Sequence, residues 1–242
     1  MKPGCRIPGL AELKTLSLAD LEHVAVEIRA QIIDVTSRNG GHLGASLGAV
    51  EIAIALHRVF QSPEEPIIWD VGHQAYAHKL LTGREDVFST LRQCGGISGF
   101  LSRDESPHDV FGAGHSSTAV AAALGFSWRD HSSWTVAVVG DGALTAGIAF
   151  EALQNTANSA RGPLLIVVND NQMSISENVG GISELLSNGK ASAFFESLGL
   201  DYLGPGDGHD LAYLLGALSG IRERVPLRPV VLHLRTQKGR GY

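Results

Sequence analysis

Trp134-Thr135-Val136-Ala137-Val138-Val139 runs without a charge into Gly140-Asp141-Gly142, and Pro163-Leu164-Leu165-Ile166-Val167-Val168 runs the same way into Asn169-Asp170-Asn171. Short apolar runs closed by turn residues read as buried strands of a parallel sheet. In such a sheet the carboxyl ends of neighbouring strands converge on one crevice, where ligands bind, so the two oxygen-rich turns are expected to face each other. A carboxylate and an amide carbonyl there suit a hard divalent cation. Magnesium fits best, since it is usually held by one or two protein groups plus substrate phosphates. Asp141 supplies the charge, while Gly140 and Gly142 let the backbone turn sharply. A helix expected to begin near Ala143 would aim free N–H groups at an anion, expected to be a phosphate or diphosphate. Taken singly, Asp-Gly and Asn-Asp-Asn are ordinary turn signals; it is their matching strand contexts that make them a site.

Outward from this pair the chain alternates strand and helix signals. Ser17, with Asp20 three residues on, opens an amphipathic helix that ends before Asn39-Gly40-Gly41. A second helix is expected over Ala45–Phe60, a short strand over Pro66–Val71 and a helix from about Gln74. Gly95–Asp109 is polar and aperiodic, an ordered loop over the crevice. Ser116–Trp128 reads as a buried helix, Leu144–Ala157 as the helix between the two opening strands, and Ile175–Gly189 as irregular. Ala191–Leu198, a strand at Asp201–Leu203, a helix at Leu211–Arg224 and a strand at Pro229–Leu234 complete the pattern. The fold class expected is α/β, a doubly wound, mostly parallel sheet flanked by helices, in a single domain over residues 1–242 with an N-terminal extension at 1–15.

Composition agrees with that reading. A 44% hydrophobic content with 29 glycines suits a buried parallel sheet with many tight turns, and a formal charge of -6 argues against a nucleic-acid partner. Cys5 and Cys94 are too few for a disulfide framework or a cysteine metal site. No apolar stretch approaches the roughly 18 residues that cross a membrane, and no signal core opens the chain, so the expectation is a cytoplasmic metabolic protein with small-molecule substrates and no membrane contact.

Histidines stand beside glycine at His42, His73, His115 and His209, where backbone can approach a ligand and imidazole can bind phosphate or shuttle protons. Gly112-Ala113-Gly114 invites a dinucleotide reading, but Ser117 occupies the place of the third glycine and the preceding residues make a poor strand. A metal-dependent hydrolase would need clustered His and Asp ligands that the spacing does not supply.

Ser37–Gly44, Trp69–Tyr76, Gly114-His115-Ser116-Ser117-Thr118, Gly140–Ala143 and Asn169–Ser176 together resemble the amino-terminal domain of the 1-deoxy-D-xylulose-5-phosphate synthase family, within the transketolase-like thiamine-diphosphate enzymes. The likeness runs from about Leu16 to Tyr242. It implies a thiamine-diphosphate-binding fold and the cofactors thiamine diphosphate and Mg2+. Asp141, Asn171 and the Met173 carbonyl are implied as metal ligands, with Asn169 and Asp170 as scaffold for the turn. His73 and the Gly114-His115-Ser116 turn are implied on the diphosphate and thiazolium side. Gly142 and Ala143 are implied as amide donors, Asn171 also as a cofactor contact and Tyr242 as a residue lying against the cofactor. His42 and His115 are the implied catalytic residues, His42 as a proton relay facing the substrate.

The same likeness carries two departures. The family continues past the equivalent of Tyr242 into a pyrimidine-binding and a carboxy-terminal domain, which supply the glutamate on the aminopyrimidine and the basic residues for a sugar phosphate. The expectation is therefore a diphosphate-binding subunit of a two-component transferase, active only with a separate subunit that bears those domains, in an α2β2 assembly. The alternative is a remnant that binds cofactor or partner without turnover. Between Ser187 and Phe194 the family carries a longer stretch, so donor, acceptor and pathway stay open.

Overall fold

Four apolar, buried segments and one largely exposed edge segment assemble one sheet, because the apolar ones can bury both faces only between helices. The computed structural model describes residues 6–112, 114–174, 176–224 and 228–242. Helices α1 (Leu10–Leu13), α2 (Leu18–Asn39), α3 (Leu43–Gly48) and α4 (Val50–Val59) precede strand β1 (Ile67–Trp69). Helices α5 (Tyr76–Lys79) and α6 (Ala119–Phe126) lead to β2 (Thr135–Gly140), and α7 (Gly147–Ser159) leads to β3 (Leu164–Asp170). Helices α8 (Gly181–Ser187) and α9 (Ala191–Ser197), strand β4 (Asp201–Asp207), helix α10 (Leu211–Arg224) and strand β5 (Val230–Arg235) follow.

The strands lie in the order β1-β2-β3-β5-β4, and every pairing is parallel. Period-two alternation splits their side chains between two cores. Val136, Val138, Leu165, Val167 and Leu232 face α2, α4 and α10, whereas Ala137, Val139, Ile166, Val168 and Val231 face α6, α7 and α9. The sheet is thus covered on both faces, as the alternating pattern predicts. Gly140 pairs with Asn169 at the carboxyl ends of β2 and β3, so the two opening turns are neighbours.

Local chemistry moves several boundaries. Helix α2 begins where expected, the Ser17 hydroxyl accepting the Asp20 amide at 3.2 Å. The single helix expected over Ala45–Phe60 is two, because α3 is pressed at Gly48 by the strap that follows β5: a Cβ there would lie 3.1 Å from the Gln237 carbonyl oxygen. The helix expected from Ser116 starts only at Ala119, because the Asp70 carboxylate takes the Ser117 and Ala119 amides at 2.7 and 3.0 Å. After Asp141 the chain makes a tight 3-10 turn to Thr145 and an extended Ala146, so α7 begins at Gly147 instead of near Ala143. The segment expected to be irregular holds α8, whose one buried residue, Leu186, is too little apolar signal to read in advance. Strand β4 runs on from Leu203 to Asp207 through a register shift.

Loop 95–109 is ordered by charge. Asp109 accepts the Ser102 amide and Glu105 the Ser98 amide, and both carboxylates are held from below by Arg84, Glu105 also by the buried Lys79. The described part of the N-terminal stretch packs into the fold through buried Ile7 and Leu13. Cys5, Ala113 and Ile175, on which parts of the sequence reading fall, lie outside the described residues.

Candidate active site

A cleft of about 660 Å³ opens across the carboxyl ends of β1, β2, β3 and β5. Strand β1 delivers Asp70, and Val71 then turns back through a γ-turn, the Gly72 amide donating to the Asp70 carbonyl at 2.6 Å. Val71 sits at φ 60°, costly for a β-branched residue. Ser117 (φ 73°) and Gln172 (φ 63°) share that left-handed region beside the same cleft. Strain of this kind persists only where surrounding contacts over-determine it, and it gathers at functional sites.

The strained turn at Val71 places His73. Its carbonyl accepts the Ser46 hydroxyl at 3.0 Å, while its Nδ1 is buried with no hydrogen-bond partner among the described residues. Burial, then the neighbouring His42 and Lys238, lower its pKa to about 4, so the ring is neutral at pH 7. His42 lies 5.9 Å from it, ring centre to ring centre, and 5.2 Å from Phe100, which the charge-anchored loop presents. Burial and then Arg92 lower the His42 pKa as well. The Tyr76 hydroxyl accepts the His42 amide at 3.2 Å and lies 3.3 Å from His42 Nδ1; donating there leaves the imidazole proton on Nε2. Gly41 is required beside this contact, since a Cβ would come within 2.7 Å of that hydroxyl.

Opposite stand Asp141 and Asp170, both buried and close enough that each shifts the ionisation of the other. Burial, followed by the Asp170 charge, pushes the Asp141 carboxyl up to about 7. Asp170 goes the other way: hydrogen bonding from His233 and the nearby Arg235 guanidinium outweigh burial and lower its pKa. Two carboxylates this close cannot both ionise without a counter-ion. Asp141 also accepts the Asn178 amide at 2.8 Å, and Asn171 Oδ1 accepts the Met173 N–H at 3.0 Å. Among the described residues no three His, Cys, Asp or Glu side chains converge. A cation here would therefore be held by carboxylate, amide and carbonyl oxygens together with an anion, a donor set that suits magnesium. Gly142 supplies the space, because a Cβ would press on Ser174 at 2.9 Å.

His42, His73, Ser116, Asp141, Gly142, Ala143, Asn171 and Met173 all line this cleft. Three expected residues do not. Gly114 is off the lining, His115 turns its exposed ring to the Ser116 carbonyl at 2.7 Å, and Tyr242 projects into solvent. Sequence reading passed over Lys238, whose ammonium donates to the Ser174 carbonyl and whose stem packs on Gly44. Its signal was a lysine in a glycine-rich turn just beyond β5. Gln74 was also missed: it fixes Asn169 through its carbonyl and leaves Nε2 buried at the cleft with no partner among the described residues.

A family profile described as 1-deoxy-D-xylulose-5-phosphate synthase matches residues 5–193 and 188–236. The 1-deoxy-D-xylulose-5-phosphate synthase of Myxococcus xanthus is 53% identical over 241 residues, taking in 98% of this chain and 41% of its own length. That of Rhodobacter capsulatus is 45% identical over 280 residues, with 98% and 43% covered. The chain therefore spans about two fifths of the length of these curated relatives. The Myxococcus alignment, at 241 residues, is one shorter than the 242-residue chain and leaves no room for a long insertion, so the short stretch between Ser187 and Phe194 is shared with a relative of that name. Among solved structures, a Pichia stipitis transketolase in complex with xylulose 5-phosphate superposes with a TM-score of 0.78 at 20% identity, covering 93% of this chain and 37% of that one. Campylobacter jejuni transketolase gives 0.77 at 21%, covering 93% and 39%. At that identity the likeness establishes the fold, whereas the profile and the curated relatives establish descent. The chain belongs to the 1-deoxy-D-xylulose-5-phosphate synthase family, of which it covers the amino-terminal part.

Proposed function

We propose that this chain forms the diphosphate-binding wall of a thiamine-diphosphate- and Mg2+-dependent transferase site that moves a two-carbon unit from a 2-oxo acid or ketose donor to an aldehyde or acyl acceptor. The observation that carries this reading is the cleft itself: Asp141, a buried carboxyl whose neighbour Asp170 already holds Arg235 and His233, faces His73, a neutral, buried histidine whose Nδ1 has no hydrogen-bond partner among the described residues. A divalent cation relieves the first, and a phosphate oxygen satisfies the second. Thiamine diphosphate, when bound, supplies the nucleophilic carbon and the electron sink that let a bond beside a carbonyl break.

The chain's residues then have separate tasks. Asp141, Asn171 Oδ1 and the Met173 carbonyl hold the cation. Gly142 and Ala143 offer amides to the diphosphate, His73 donates from its unpartnered nitrogen, and Ser116 and Lys238 add polar contacts at the rim. His42, kept neutral with its proton on Nε2, holds and passes a proton toward the acceptor. Phe100, packed against it, excludes water.

The pyrimidine-binding wall is proposed to come from a separate subunit with transketolase-like carboxy-terminal domains, in a cytoplasmic α2β2 enzyme. Among the described residues no helix is long and apolar enough to cross a membrane. The test is reconstitution: residues 1–242 are co-purified with a chain bearing those domains, and thiamine-diphosphate-dependent decarboxylation of pyruvate is measured beside ketose cleavage. Turnover by the pair and none by either chain alone is expected. A pair that binds cofactor but consumes no donor would leave only the non-catalytic alternative.

A further inference from the structure

Behind the cleft, strands β4 and β5 carry two side chains that belong to none of the motifs read from the sequence. The Tyr202 hydroxyl lies 2.7 Å from His233 Nδ1, and His233 Nε2 lies 2.8 Å from Asp170 Oδ2. His233 is fully buried on β5 and Asp170 is buried at the end of β3. An ionised carboxylate can only accept, so Nε2 carries the proton toward Asp170, and in the neutral imidazole Nδ1 then accepts from the Tyr202 hydroxyl. One tautomer and one ring orientation satisfy both contacts.

Asp170 passes this order on. Its Oδ1 accepts the Gln172 amide at 3.1 Å, pinning a residue at φ 63° in the middle of the turn that presents Asn171 and Met173. Its Oδ2 also meets Arg235 Nη1 at 3.0 Å, and Arg235 Nη2 donates to the Leu186 carbonyl at 2.6 Å, tying the same carboxylate to α8. On the cleft side Asp170 meets Asp141. Apart from Asp141, these contacts come from groups that do not line the cleft.

We propose that Tyr202 and His233 are positioning residues for the cation site: they lock Asp170 so that its Oδ1 shapes the Asn171–Met173 turn and Asp141 alone is left to face the cleft. The inference rests on the cation-and-diphosphate reading of that cleft. Outer partners of this kind orient ligands without touching the metal, and their loss typically costs about 10- to 100-fold in metal affinity.

The test uses the full chain, Mn2+ as the spectroscopic probe, and thiamine diphosphate at saturation. His233→Leu is expected to weaken Mn2+ binding about 10- to 100-fold. His233→Gln, which keeps an amide N–H within reach of Asp170, is expected to recover most of that loss, and Tyr202→Phe to lose less in the same direction. The Gln172 amide resonance should move in His233→Leu and Tyr202→Phe but not in His233→Gln. A purely structural role would lower thermal stability and leave Mn2+ affinity of the folded protein unchanged. If His233→Leu does not fold, Tyr202→Phe decides the matter through the same two measurements. Wild-type Mn2+ affinity in a folded His233→Leu or Tyr202→Phe overturns the proposal while the cofactor reading stands, as does a loss in His233→Gln equal to that in His233→Leu. Failure of the unaltered chain to bind Mn2+ overturns both.

Discussion

Asp109, in the loop before α6, and Asp141, just beyond the carboxyl end of β2, are both buried carboxylates, and their surroundings drive them in opposite directions. Arg84 grips Asp109 with two parallel hydrogen bonds of 2.7 and 2.8 Å, and His78 adds a third contact at 3.1 Å. Together these outweigh burial and hold the Asp109 carboxyl well below the usual range. Asp141 has another carboxylate as its nearest charge and is pushed up to about 7. Arg235 and His233 stand close by, but both are committed to Asp170. Burial is common to the two aspartates, so the location of the cations makes the difference. A cluster that contains its own counter-charges fixes a loop, whereas one that lacks them is built to receive a charge from outside.

Removing the internal cation is the most damaging way to break this contrast. Arg84→Met should leave Asp109 buried without its partner and cost about 3–5 kcal/mol, the range seen when one member of a buried pair is deleted. Urea unfolding measures it, and an unchanged midpoint would make the Asp109 cluster dispensable. The matching change on the other side should do the reverse to stability. Asp141→Asn removes a repulsive charge, so the metal-free protein should unfold at the same or higher urea. Its Mg2+-dependent binding of thiamine diphosphate should fall by more than the roughly 100-fold that marks loss of an outer partner, since here a ligand itself is gone. Calorimetric titration with and without Mg2+ separates the two effects.

Proton linkage sharpens the contrast further. Asp141 has a folded-state pKa raised from 3.8 to about 7, so its contribution to stability is complete below about 3.8 and is lost as pH rises through about 7. Asp109 is depressed from 3.8, so its contribution is complete above that value and is lost as pH falls. In chelator, the urea midpoint of the unaltered chain should therefore decline from pH 4 to pH 7, and Asp141→Asn should flatten that decline while keeping the acid-side loss. Addition of Mg2+ with thiamine diphosphate should also flatten it, by supplying the missing positive charge. Parallel curves for the two proteins in chelator would remove Asp141 as the titrating group.

These opposed clusters were not equally legible in the sequence. Asp141 and Asn171 could be found because each ends an apolar strand, and strand ends in a parallel sheet share one crevice. The fold was legible for the same reason: apolar runs closed by turn residues and the alternation of strand and helix signals are local signals. Lys238 and Gln74 were not found, because their roles depend on which loops the topology brings against β3, and no spacing along the chain encodes that. Arg84 and Asp109 stand 25 residues apart, and only the Asp109 end fell within the segment read as an ordered loop, Gly95–Asp109. The break at Ala49 was invisible because its cause, the Gln237–Lys238 strap, lies far along the chain. Tyr242 was carried over from a family motif, and it is exposed and off the cleft lining.

The mildest break should come from Lys79, which is as buried as anything in the closed cluster yet is not its only cation. Its ammonium donates to Glu105 Oε2 at 2.5 Å, and burial lowers its pKa more than that bond raises it. Glu105 keeps Arg84 Nη1 at 3.3 Å and stays partly open to water, so deleting the lysine strands no charge in a dry site. Lys79→Met preserves the buried stem and removes one charge-assisted hydrogen bond, for which a loss of about 1–2 kcal/mol is expected. The loop's contact on the cleft should survive: Asp109 still holds the Ser102 amide and Glu105 the Ser98 amide, so Phe100 should stay packed on His42. The His42 ring resonance is the sensitive reporter, and it should be unmoved in Lys79→Met but displaced in Arg84→Met. A shift of equal size in both would mean that the two cations act as one unit, and that the redundancy argued for the closed cluster does not exist.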